Sequence, residues 1–377
     1  MAYTKVKPLM VASFPSSRLT GAFGAISGAS LTGLSDGIDT KSASANPALN
    51  TNPSAVGHSW LNKSSGEMFI CTDATTDANI WANVGAGTRN VDSFQGKISG
   101  FTAGGYNGGY LNVIDKFSFT TDGDATDIAN LTVSRYGASP ASSSTHGYSS
   151  AGYTGAYQNI IDKFTFVSTT DATDVGDLTG TKDSHTGCSS STHGYAMGGY
   201  IAPATVDVIE KFTFTADANS TDVGNLTAIR YGCSGQNSAT HGYTSGGNVS
   251  TDRIDKFTFA SDANATDVGN LFFGRAYLVG HSSTTHGYTS GSNGAGGDVI
   301  EKFTFASDND GDDVADLTMA HSSAAGQSST LCGYSSGGGN GTPSQAVIEK
   351  FTFATDANGT DVGDLSAGRS NGTGTQY

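Results

Sequence analysis

Ile254-Asp255-Lys256-Phe257-Thr258-Phe259 is spelled, with Asp or Glu second and Ser or Thr fifth, six times along the chain. The first Phe of each copy is Phe117, Phe164, Phe212, Phe257, Phe303 and Phe351, at steps of 47, 48, 45, 46 and 48 residues. Within the phrase the two Phe residues fall on one face of an extended chain and the Lys on the other. Self-similarity at 40 to 50 residues in strand-forming residues predicts a propeller with one blade per repeat.

Working outward, each copy has the same neighbours. An aromatic Gly-Gly strand precedes it, as in Gly242-Tyr243-Thr244-Ser245-Gly246-Gly247. An Asp/Asn turn and a Thr-Asp-Val-Gly-Asn-Leu strand follow, as at Thr266 to Leu271. Four residues beyond that Leu stands a base: Arg135, Lys182, Arg230, Arg275, His321 or Arg369. A Ser-rich strand then leads to the next repeat. The expected class is all-β, a six-bladed propeller with four-stranded blades over residues 90–377. The repeats read as ending just after Arg369, with Val91 to Gly100 spare at the front. The ring is therefore expected to close by an N-terminal strand.

Composition agrees with that class. The 377 residues include 52 Gly but only 7 Pro, and 14% are charged. Net charge is −15, and the only glutamates are Glu67, Glu210, Glu301 and Glu349, so acid resides mostly in Asp-bearing turns. No basic stripe invites nucleic acid. No run is long enough to span a membrane, and the apolar stretch Leu9 to Ala12 is too short for a secretory leader. The protein is expected in the cytosol, or carried out within an assembled particle. Cys71, Cys188, Cys233 and Cys332 fall at unrelated offsets and read as free thiols.

Residues 1–89 lack the repeat. Ser16 to Asn52 is small and polar, and residues 1–55 read as an extended or partner-ordered anchor segment. Residues 56–89 read as a small β module, a hairpin turning near Gly66 with a third strand at Trp81 to Val84.

Several residue sets invite chemistry. Asp308, Asp310 and Asp312 place oxygens at alternate positions, as a calcium loop does, but Met319 stands at the twelfth position where such a loop closes on Glu. The bland reading is an Asx-type turn. His146, His193, His241 and His286 recur before Gly-Tyr; on separate blades they are expected to bond locally rather than share a metal. The repeated lysines, Lys116, Lys163, Lys211, Lys256, Lys302 and Lys350, are expected to pair with Asp of the Thr-Asp-Val-Gly strand. The Phe pairs are expected between blades. No nucleophile elbow, phosphate loop, zinc helix or dinucleotide fingerprint is present, and no enzyme is expected.

The loop after Gly-Gly varies most between copies. Tyr106, Tyr110, Tyr153, Tyr157 and Tyr200 cluster in its first three versions. By symmetry these loops share one rim. Tyr with Gly, Asn and Ser is a recognition vocabulary, so these five residues form the candidate binding face for a glycan or a protein. Drift of unconstrained loops is the competing explanation.

The Gly-Gly pair, the Ile-x-Lys-Phe strand and the later Leu-x-x-x-Arg resemble the kelch repeat. The pattern departs from it where Thr-Asp-Val-Gly replaces the usual Trp, and at Ala151-Gly152 and Gly291-Ser292. The wording His-Gly-Tyr-Thr-Ser-Gly-Gly with Asp-Ala-Asn-Ala-Thr-Asp-Val-Gly resembles repeat proteins of tailed bacteriophages, marine and cyanobacterial ones especially. Trp60 to Ala86 resembles short modules of phage tail-fibre proteins, notably in Gly66 to Thr75 and Ile80 to Gly85. These resemblances imply a virion component, assembled in the host cytoplasm. Residues 1–88 would join other virion proteins, by analogy as a homotrimer, and the propeller would bind a host-surface glycan or protein. Alternatives are a capping or decorating virion protein, and a cellular kelch-type interaction module or lectin.

Overall fold

The repeated phrase forms a strand because its alternation matches the pleat. Phe257 lies directly across from Gly242 in the antiparallel partner, and Lys256 across from Tyr243. The Phe ring fills the space a side chain at the glycine would need. A Cβ on Gly242 would lie 2.3 Å from Phe257 Cζ, and Gly100, Gly147, Gly194, Gly287 and Gly333 face their own Phe rings in the same way. The Gly of each Gly-Tyr pair is thus a steric requirement of the strand beside it.

The computed structural model describes residues 40–48, 51–53, 55–62, 67–83, 95–248, 251–294, 296–339 and 344–377. The chain divides into two compact units, Met1–Arg89 and Asn90–Tyr377. Among the described residues there is no helix of any length, and the class is all-β.

In the first unit, Thr40–Ala43, Ser59–Asn62, Met68–Asp73 and Ile80–Asn83 form one four-stranded sheet in chain order. The first pair is parallel and the others are antiparallel. Trp60 and Trp81 meet edge to face at 6.1 Å. The expected hairpin and third strand are present, with Thr40–Ala43 added as a fourth strand. Gly66, Val84 and residues 1–39 lie outside the described residues.

The described residues of the second unit form six four-stranded antiparallel sheets, consistent with a β-propeller-like class. A representative sheet runs Ser234–Asn237, His241–Ser245, Arg253–Thr258, Thr266–Asn270, each strand pairing with the next. The innermost strands are Ser139–Ser142, Thr186–Ser189, Ser234–Asn237, Val279–Ser282, Ala325–Ser328 and Thr373–Gln376. Each neighbours the next, and Thr373–Gln376 neighbours Ser139–Ser142 again. Their backbones approach so closely that a Cβ on Gly235 would lie 2.2 Å from the Gly187 carbonyl oxygen, and one on Gly280 2.2 Å from that of Gly235.

One hydrogen-bond circuit runs through all six sheets. The N–H of Ser184 donates to Gly137 O, Gly232 to Ser184, Tyr277 to Gly232, Ser323 to Tyr277, Asn371 to Ser323 and Gly137 to Asn371, over 2.6–3.0 Å. All six residues have left-handed φ, from 50° to 67°, including the non-glycines Ser184, Tyr277, Ser323 and Asn371.

Among the described residues, the first sheet takes its edge strand from the last copy. Thr373–Gln376 is the innermost strand of the first sheet, Thr373 opposite Ala103 and Gln376 opposite Gly100. The final copy therefore has its closing strand, and Ser99 and Gly100 belong to the strand it joins. The physical reason is visible in Gly374, which stands at the close approach used by Gly187, Gly235, Gly280 and Gly326. Residues 91–94 lie outside the described residues. Gln95, just beyond them, donates from Nε2 to the carbonyls of Ser282 and Ser329, beside the innermost strands.

Two sets of contacts join consecutive sheets. Each second-strand aromatic packs on both Phe residues of the following sheet, as Tyr243 does on Phe303 and Phe305 at 5.5 and 4.8 Å. Tyr334 of the last sheet does so on Phe117 and Phe119 of the first, at 5.6 and 4.7 Å. Beside them lies a buried pair. Arg135 meets Asp162, Lys182 Glu210, Arg230 Asp255, His321 Glu349 and Arg369 Asp115, at 2.6–2.9 Å, and Arg275 meets Glu301.

The lysines differ from expectation. Lys163, Lys211, Lys302 and Lys350 reach the Asp/Asn turn of the following sheet, at Asp217, Asp262, Asp356 and Asp122, over 2.5–2.6 Å. Lys256 reaches Asp308 in the same way. The Asp of Thr-Asp-Val-Gly lies within the lysine's own sheet, across from the residue before it, as Asp267 faces Asp255. The turn of the next sheet brings its Asp to the lysine tip instead. At the first junction Thr169 occupies the place of that Asp, and Lys116 sits 5.6 Å from the Phe101 ring centroid.

Candidate functional site

In the first two sheets the hairpin between second and third strands is long. Tyr106 pairs across it with Tyr110, and Tyr153 with Tyr157. Left-handed Gly108 and Gly155 make the tips. In the third sheet a separate two-stranded hairpin, Tyr200–Ile201 with Ala204–Thr205, does the same job. Each hairpin is fastened to the loop that follows the preceding sheet. Tyr136 and Tyr153 exchange main-chain hydrogen bonds, as do Asp183 and Tyr200, over 2.9–3.2 Å.

The five candidate tyrosines line one cup of about 720 Å³. Tyr136, Tyr231 and Tyr277 line it too, with Asp183, Ser184, Asn293, Ser323 and Asn371. Ser184, Tyr277, Ser323 and Asn371 also belong to the hydrogen-bond circuit, which forms the cup's floor. The volume lies within the range of small-molecule sites. The rings form a continuous arc: Tyr106 to Tyr136 at 5.8 Å, Tyr136 to Tyr153 at 5.7 Å, Tyr153 to Tyr157 at 5.1 Å, Tyr157 to Tyr200 at 6.2 Å, Tyr200 to Tyr231 at 5.0 Å and Tyr231 to Tyr277 at 6.2 Å. Tyr106 and Tyr110 are the most open, each 39% exposed.

The three additional tyrosines lie outside the variable loops. Tyr136 and Tyr231 each follow the repeat's buried Arg, and Tyr277 follows Arg275 by two. The recurring Arg-Tyr dipeptide carried the information, but only the base stands at a fixed spacing from the Leu of the fourth strand.

Asp183 takes the position of Tyr136 and Tyr231 in its own copy. It is 6% exposed, and its Oδ1 has no hydrogen-bond partner among the described residues. Burial pushes its carboxyl up to about 6, partly opposed by a hydrogen bond from Ser184. Burial, then the Asp183 charge, raises the Tyr136 hydroxyl; burial raises Tyr277 to about 12.

The other candidates are engaged structurally. Asp308 pairs with Lys256, and Asp310 accepts from the Asn270 N–H at 2.9 Å. Asp312 opens the strand Asp312–Asp316. The residues read as a calcium loop thus link one sheet to the next. Among the described residues no cluster of three or more His, Cys, Asp or Glu is placed to hold a metal. His146, His193, His241 and His286 each bond through Nδ1 to the preceding Thr hydroxyl at 2.8 Å. All four cysteines are free, and burial raises the Cys233 thiol to about 11.

A scan against protein-family models and a search of curated proteins find no match for this chain.

Proposed function

We propose that residues 90–377 form a closed six-bladed propeller of kelch-like plan that serves as a non-enzymatic recognition head. Closure is supported by the hydrogen-bond circuit, by Tyr334 on Phe117 and by Arg369 on Asp115, which join the last copy to the first. The head belongs to a phage virion, as a tail or fibre component. Residues 1–88 tie it to neighbouring virion proteins, and the head engages a host-surface glycan or protein. The resemblance of the repeat and of Gly66 to Gly85 to phage sequences supports the setting.

The observation that carries recognition is the convergence of eight tyrosines from five successive junctions on one open cup. Tyrosine offers broad, stiff contact area at little entropic cost, suited to binding rather than to core packing. Replacing Tyr106-Asn107-Gly108-Gly109-Tyr110 and Tyr153 to Tyr157 by Gly-Ser loops of equal length is expected to abolish adsorption of the particle while leaving assembly intact. Deleting residues 1–88 is expected to abolish incorporation and leave a folded head. Unchanged adsorption by the loop variant would reject the recognition role.

A further inference from the structure

Seven buried carboxylates of the repeat region differ in one respect. Asp115, Asp162, Glu210, Asp255, Glu301 and Glu349 each face a base. Asp183 faces none. Its neighbours are Tyr136 and Tyr277, the backbone of Tyr200, and the Ser184 hydroxyl. Lys182, the preceding residue, is committed to Glu210 at 2.7 Å. His185, two residues on, is buried with its basicity lowered first by burial and then by Lys182, so it supplies no counter-charge. Among the described residues no Lys, Arg or His lines the cup.

We propose that the cup selects an organic cation, held against the tyrosine ring faces with Asp183 as its fixed counter-charge. This deepens the recognition reading above and rests on it. Ring faces carry the negative lobe of an aromatic quadrupole and attract ammonium groups, most strongly where water is excluded. A carboxylate under the same rings adds to the field, and the protein's net charge of −15 repels anions before they arrive. A neutral sugar would gain from the rings but nothing from Asp183. An anionic sugar or a phosphate would meet repulsion from floor and wall alike. A cation would give Asp183 the basic partner that the other six carboxylates already have.

Two sources share this chemistry: a quaternary ammonium such as choline, and the primary ammonium of an amino sugar. The test is calorimetric titration of the full chain with choline chloride, glucosamine, glucose and N-acetylneuraminic acid, together with a neutral oligosaccharide array. Binding of choline or glucosamine, but not of glucose or N-acetylneuraminic acid, is expected; which of the two binds identifies the source. Asp183→Asn is expected to weaken that binding about tenfold or more, and the affinity of the parent should rise as pH increases through about 6. Tyr153→Phe, which keeps the ring, should bind nearly as the parent, and Tyr153→Ser should not. Neutral glycans binding with equal affinity to parent and Asp183→Asn would overturn the cation assignment and leave the recognition cup standing. No binding by any probe would overturn the cation assignment, and the adsorption test of the loop variant then decides the recognition reading by itself. Thermal melting of each variant separates lost binding from lost fold.

Discussion

At the scale of single residues, glycine and one aspartate carry the most consequence. Gly242 is required because Phe257 occupies the volume of its absent side chain. Gly242→Ala should cost about 1–3 kcal/mol, the usual result of overfilling a packed site. Phe257→Leu in the same chain should recover part of that loss, and a double-mutant cycle by denaturant unfolding would read the coupling. Asp183 predicts a pH effect. Burial raises its folded-state carboxyl to about 6, above the ordinary aspartate value of 3.8. Between those values the folded chain holds a proton that the unfolded chain releases, so stability from this group falls as pH rises across the window. Asp183→Asn should flatten that slope and melt above the parent at pH 7, with little difference at pH 3.

At the scale of strands and their junctions, buried and exposed ion pairs should behave differently. Arg230 and Asp255 are both fully buried and 2.6 Å apart. Arg230→Met leaves a charge stranded and should cost about 3–5 kcal/mol, while Arg230→Met with Asp255→Leu should regain most of it. Lys211 and Asp262 bridge the same two sheets at the surface, and Lys211→Ala should cost at most about 1 kcal/mol. Chemical denaturation of the three variants checks both statements. Acid and base sizes are matched at two junctions, where the shorter bases Lys182 and His321 meet Glu rather than Asp.

Much of this level was legible in the sequence. Strand order, the aromatic contacts between sheets and the rim position of the variable loops all follow from periodicity, because side chains alternate and equivalent copies stack equivalently. Two things were not legible. The partner of each lysine lies across a junction, and the strand alternation within one copy says nothing about its neighbour's turn. The closing strand Thr373–Gln376 has only small and polar side chains, selected for close approach rather than for apolar pattern, so hydrophobic periodicity passes over it. The same blindness hid Tyr136, Tyr231 and Tyr277, whose gathering depends on the curvature of the assembly and not on spacing.

At the scale of the whole repeat unit, successive junctions reuse one design, and the join between last and first copies uses it too. Deleting residues 373–377 removes the innermost strand of the first sheet and Asn371's anchoring neighbours. The expected result is a protein that loses cooperative melting, exposes the edge of Ser99–Tyr106 and self-associates. Light scattering with circular dichroism measures this directly; a monomer with the parent's melting curve would contradict it.

The placement of Thr373–Gln376 also bears on how the molecule is made. During synthesis, Ser99–Tyr106 emerges early and Thr373–Gln376 only after every intervening sheet has left the ribosome. Until then one long strand has bare amides along one side, on a growing chain surrounded by others like it. Neighbouring nascent chains on a polysome offer near-identical substitutes for the missing partner, so swapped oligomers are the error to expect when synthesis pauses before Thr373.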